Sequence, residues 1–170
     1  MGVTIHFEGQ LLGEDAFRSL IATANAFATT HQWLTQPIES AQTTLLRVRD
    51  NEEEWNYSGP ARGVVLYPSE DCDPVRLEFD TDLYVQEFVK TQFAGPKTHV
   101  AVVELLRTLK PFFGRFSVED EGGYWDSGSV QTLAKHLEAA QDAIEAELRK
   151  DPSAQSKVKT SDGRIMDLMS

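Results

Sequence analysis

The sequence predicts an α+β domain with three helices packed on one face of a largely antiparallel sheet. Three patterns predict it. Short stretches alternate apolar with polar residues, three longer ones repeat apolar residues at helical spacing, and polar turns too short for a crossover separate the central strand candidates.

Val3, Ile5 and Phe7 alternate with Thr4, His6 and Glu8, so the chain opens with a strand that packs on one face and turns at 9–13. Over 14–30, Phe17, Leu20, Ile21, Ala24, Phe27 and Ala28 form a helical stripe, and Glu14 and Asp15 suit the unpaired amides of its first turn. Trp33 and Leu34 fasten the exit, and Pro37 stops any continuation. A second strand is expected at 43–49, from Thr44, Leu46 and Val48. The polar stretch 50–60 reads as a long hairpin connection, with Trp55 and Tyr57 on its return arm. Strands then follow at 61–67 and around Val75, Leu77 and Phe79.

The stretch 83–93 fits either period; its β-branched and aromatic residues favour a strand. Residues 95–98 form a helix entrance in which Thr98 can cap the amides ahead of Val102, Leu105, Leu106 and Leu109, and Pro111 ends that helix. A short strand at 116–118 runs into 119–123, whose paired glycines let a tight turn present Tyr124 and Trp125. Ser129 is the expected cap of the last helix, 130–149, with the stripe Leu133, Leu137, Ala140, Ile144 and Leu148. Residues 1–150 thus read as one domain. The polar stretch 151–170 reads as a flexible tail, with docking of 165–169 as a terminal strand the alternative.

A chain of 170 residues can remove roughly two-thirds of its extended surface from water without a staple. The lone Cys72, in the polar turn 68–74, has no intrachain partner, which favours a reducing, cytoplasmic setting. No apolar run is long enough to span a bilayer. The net charge of −11, from 27 acidic and 16 basic residues, repels phosphate backbones and anionic lipid. Neither nucleic acid nor membrane is therefore expected as a partner.

Candidate chemistry gathers in two places. Glu119, Asp120, Glu121 and Asp126 surround Tyr124 and Trp125, a density of carboxylates suited to a basic partner or a hard cation, without the spacing of a calcium loop. Lys90 and Thr91 precede a helix start at which His99 stands, an arrangement that can meet a small anion. Glu78 and Asp80 share a strand face by its two-residue period and offer an alternative carboxylate pocket. Each has a bland reading: solvated carboxylates, a capping Thr98, and a core-edge His99. No cofactor is predicted, and a divalent cation, functional or adventitious, stays open.

The run 90–94, His99 with its apolar helix, then Asp120, Glu121, Tyr124 and Trp125 resemble an uncharacterised family of small bacterial proteins with no assigned activity, over roughly residues 63–137. The resemblance implies that Lys90, Thr91, His99, Glu119, Asp120, Glu121, Tyr124 and Trp125 form one functional surface; it implies no substrate. The first functional expectation is a binding or accessory protein that meets a protein partner, or a second copy of itself, through this acidic and aromatic surface. The second is an enzyme or small-ligand protein with a Lys/His/carboxylate pocket.

Overall fold

A computed structural model of the chain describes residues 2–49, 53–153 and 158–166. In order, β1 (Thr4–Leu11) leads into α1 (Glu14–His31), then β2 (Leu34–Leu45), β3 (Tyr57–Tyr67), β4 (Val75–Phe79) and β5 (Tyr84–Lys90). There follow α2 (Pro96–Leu109), β6 (Phe113–Asp120), a single turn α3 (Tyr124–Ser127), α4 (Val130–Lys150) and the two-residue strands β7 (Val158–Lys159) and β8 (Ile165–Met166). The class is α+β, as the periodicities predict. All pairings are antiparallel, in two three-stranded sheets ordered β5-β1-β6 and β2-β3-β4, with β7-β8 a separate hairpin.

Alternation places Ile5, Phe7, Val85 and Val89 on the covered face of the first sheet, and Val64, Leu66, Leu77 and Phe79 supply the second. Leu20 and Ala24 of α1 and Val102, Leu105, Leu106 and Leu109 of α2 close over them in one continuous core. Each such aliphatic or aromatic side chain stabilises the fold by about 1.5–3 kcal/mol relative to exposure. The third long helix packs differently: Leu133, Leu137 and Ala140 of α4 form a second cluster with Val3, and α4 lies against α2 and α3.

The two sheets meet where β4 turns into β5, and that seam is closed by side chains together with one backbone bond at each end, Asp80 to Tyr84 and Asp73 to Lys90, both 3.1 Å. Asp80 Oδ1 accepts the amides of Asp82 and Tyr84 at 2.8 and 3.0 Å, and its Oδ2 takes Arg47 at 2.7 Å. Arg47 also donates to the Tyr84 carbonyl at 3.1 Å. At the far end Asp73 accepts the amides of Lys90 and Ile165 at 2.9 and 2.7 Å, and Arg164 donates to the Phe88 carbonyl at 2.9 Å. Two acids and two arginines thereby satisfy backbone groups that an edge strand would otherwise leave open.

Several local expectations change. Strand β2 begins at Leu34, nine residues before the expected 43, and contains Pro37, because an edge strand loses nothing essential with the missing N–H. Thr98 does not cap α2; Gly95 holds the N-cap position and Pro96 opens the helix. Ser129 does cap α4, accepting the Thr132 amide at 3.1 Å. Residues 84–90 are a strand. Cys72 is only 3% exposed despite its polar neighbours, and burial, with Asp73 nearby, pushes its thiol pKa up to about 12. Ile165 docks in the β7-β8 hairpin and is buried; residues 167–169 of the expected docking segment lie outside those described.

Candidate functional site

The expected site divides between the two faces of the β5-β1-β6 sheet. On the helix side, Thr91 closes β5, His99 stands on the first turn of α2, and Asp120 ends β6. The Thr91 hydroxyl lies 2.6 Å from His99 Nδ1, and His99 Nε2 lies 3.1 Å from Asp120 Oδ2. With the ring proton on Nε2, that nitrogen donates to the carboxylate and Nδ1 accepts from the hydroxyl. Asp120 also accepts the amides of Gly122 and Trp125, each at 2.8 Å. Burial raises the Asp120 carboxyl, but His99 and the two amides outweigh it and hold it below its ordinary value.

This relay joins three elements distant in sequence, and it is closed. Thr91 and His99 are 0% exposed, and a Cβ on Gly122 would stand 2.9 Å from His99 Cε1 and 2.8 Å from Leu133 Cδ1. Gly122 thus lets the turn lie flat on the imidazole. Gly123, at φ 74°, supplies the left-handed residue that carries the chain into α3. Tyr124 and Trp125 pack inward from that turn rather than being displayed by it. Arg107 and Lys110 lie over the Trp125 ring at 5.2 and 6.0 Å, and Phe116 meets it edge-on. Both aromatics contribute packing area here.

On the opposite, helix-free face the register aligns three cross-strand rows: Phe88, His6 and Glu119; Gln86, Glu8 and Ser117; Tyr84, Gln10 and Arg115; beyond them Lys90 pairs with Thr4, whose carbonyl accepts the Glu121 amide. An arm formed by residues 46–49 and 53–56 folds over this face. The Gln86 side chain grips the Val48 peptide from both sides, accepting its amide at 2.9 Å and donating to its carbonyl at 2.7 Å. Trp55 stands edge-on to Tyr84, and the buried Arg47 guanidinium lies 5.0 to 5.5 Å from the rings of Tyr84, Trp55 and Tyr57. Tyr84 donates to Glu8, and burial followed by that bond pushes its hydroxyl pKa up.

Between arm and sheet lies a broad open cleft of about 1620 Å³, lined in part by His6, Arg49, Trp55, Phe88, Glu119 and Arg164. Phe88 is 41% exposed there, with Leu46 and Val48 exposed on the arm beside it. The Arg164 guanidinium sits 4.1 Å from the centre of the Phe88 ring and 2.6 Å from Glu87. Burial raises the Glu87 pKa further than Arg164 lowers it. Glu121 turns its carboxylate onto the Thr4 amide at 2.9 Å.

Thr91, His99 and Asp120 therefore converge, whereas Lys90, Glu119 and Glu121 occupy the other face. Glu78 is buried within 3.5 Å of Arg76 and borders the cleft, and Asp80 is spent on the seam. Among the described residues no three His, Cys, Asp or Glu side chains surround a common point that would hold a metal ion. Phe88, Gln86, Arg47 and Arg164 were not singled out by the sequence. Alternation through 84–90 could have placed Phe88 outward; the remote Arg164 left no such signal. No helix among the described residues is long and apolar enough to cross a membrane. No family model matches the chain, and neither does any curated protein or solved structure.

Proposed function

We propose that the chain is a cytoplasmic binding or accessory protein whose working surface is the helix-free face of β5-β1-β6 and its overlying arm, and that its partner is a protein segment carrying arginine among apolar residues. The observation that carries this reading is an exposed Glu119 in an open cleft whose Phe88 already stacks one guanidinium, that of Arg164, against Glu87. A second basic side chain would meet Glu119 one strand beyond His6 in the same row. Exposed Phe88, Val48 and Leu46 supply apolar area to desolvate, and the net charge of −11 speeds encounter with a basic partner. The acidic and aromatic character anticipated from sequence is kept. Its aromatic member becomes Phe88 in place of Trp125 and Tyr124.

Titrating the full chain with synthetic peptides that alternate arginine with leucine, and with glutamate counterparts as controls, tests the proposal by calorimetry. Arginine peptides bind, binding weakens with salt, and Phe88→Ala or Glu119→Lys weakens it at least tenfold, about 1.4 kcal/mol. Equal binding of both peptide sets, or indifference to both substitutions, would refute it.

A further inference from the structure

The two sheets have four strand edges, of which β4 and β5 meet at the seam, and the chain treats them differently. At the seam, Asp73, Asp80, Arg47 and Arg164 occupy backbone groups of β5. The outer edge of β2 is blunted by Pro37 and by a register break between Ser40 and Thr43, two devices that discourage further pairing. The outer edge of β6 has no proline, and its one register break, at Gly114 opposite Gln10 and Leu11, leaves 115–120 in regular pairing with β1. A regular free edge of this kind is a template for another strand.

Which backbone groups face outward follows from the ladder. The Glu121 amide donates to the Thr4 carbonyl, so by alternation Glu119, Ser117 and Arg115 point their peptide groups at β1. Phe116 and Val118 point theirs away. An antiparallel strand centred opposite Ser117 would exchange hydrogen bonds with those two residues, while Ser117, Arg115 and Glu119 would fall at the closer, non-bonded positions.

The side chains say which strand fits. Arg115 and Glu119 lie two residues either side of Ser117, both on the helix-free face and both exposed. Glu119 has no ion pair among the described residues, and Arg115, 3.3 Å from Gln10 and near Tyr84, has no carboxylate within salt-bridge distance among them. We propose that two copies of this chain pair antiparallel through β6 about a two-fold axis at Ser117, forming one continuous six-stranded sheet. Arg115 of each copy then faces Glu119 of the other, and Phe116 faces Val118 on the helix side. Both of those apolar residues are only half-buried within one chain.

An axis at Phe116 sets Arg115 opposite Ser117, and one at Val118 sets it opposite Glu121, which lies past the end of β6 with its carboxylate on the Thr4 amide, so the charges favour the register centred on Ser117. The ladder ends near Asp120, whose carbonyl already accepts the Gly123 amide at 3.0 Å. Trp125, edge-on to Phe116, would flank the new apolar pair. The two clefts would lie on the same face of the joined sheet, and each Glu119, with two oxygens, would meet Arg115 of the other copy on one side and its own cleft on the other.

Sedimentation equilibrium of the full chain tests this. The wild type is a dimer at high micromolar concentration. Arg115→Glu puts like charges opposite each other twice and weakens it by on the order of tenfold or more, and Arg115→Glu/Glu119→Arg restores it. Under mild oxidation Ser117→Cys cross-links to its own copy, because non-bonded antiparallel pairs stand about 4.5 Å apart at Cα, within disulfide range. Buried Cys72 does not compete. Circular dichroism confirms that each variant is folded. A monomeric wild type, a dimer unmoved by charge reversal, a folded double variant that stays monomeric, or absence of the Ser117→Cys cross-link would each overturn the proposal.

Discussion

Asp120→Ala removes a carboxylate whose hydrogen bonds tie β6 to α2 and α3. Three donors lose their acceptor at once: His99 Nε2, and the amides of Gly122 and Trp125. Water entering the vacated space can reach the two amides near the turn. The imidazole is different, since it is fully buried and pressed by the Gly122 backbone. A bond to a charged acceptor contributes about 1.5–3 kcal/mol, and each stranded donor costs about 1–3 kcal/mol, so the expected loss is on the order of 3–5 kcal/mol. For a domain stable by about 5–15 kcal/mol that is a large fraction.

Urea denaturation followed by circular dichroism measures the loss as a shift in midpoint at constant slope. Asp120→Asn keeps the shape and one acceptor oxygen and is expected to cost about half as much. The pH dependence has a definite sign. The Asp120 carboxyl has an ordinary value of 3.8 and is held lower in the fold, so its contribution is complete above that ordinary value. It is lost as pH falls through the folded value. The gap between wild type and Asp120→Asn therefore narrows on acidification below about pH 4. A loss of less than about 1 kcal/mol for Asp120→Ala would mean that the relay does not hold these elements together.

Two further measurements test the seam and the turn. Arg47→Ala strips the buried Asp80 of its counter-charge and opens the stack among Trp55, Tyr57 and Tyr84; a loss of about 3 kcal/mol is expected from urea midpoints, and a loss near zero would contradict the seam. Cys72, buried and with its thiol pKa pushed up to about 12, should resist an aromatic disulfide reagent at pH 8 in the native protein and react in denaturant. Prompt native reaction would refute its burial.

Period-two alternation at 3–7 and 75–79, helical spacing in α1, α2 and α4, and the Ser129 cap are local patterns, each readable within a few turns of chain. They sufficed for the α+β class and for most strand and helix positions. Local patterns placed Thr91 with His99 at a helix start but left Asp120 in a separate acidic cluster, because the three meet only when β5, α2 and β6 pack together. Whether such a group is open or sealed depends on what packs over it, and Gly122 and Leu133 do that from remote positions. Likewise Pro37 reads as a stop until its strand is known to lie at an edge, and Cys72 reads as exposed until the fold covers its turn. Arg164 reaches Phe88 across 76 positions of sequence. Short-range order follows from backbone geometry that neighbouring residues share; burial, edge status and ion pairing are set by segments that meet only when the chain closes on itself.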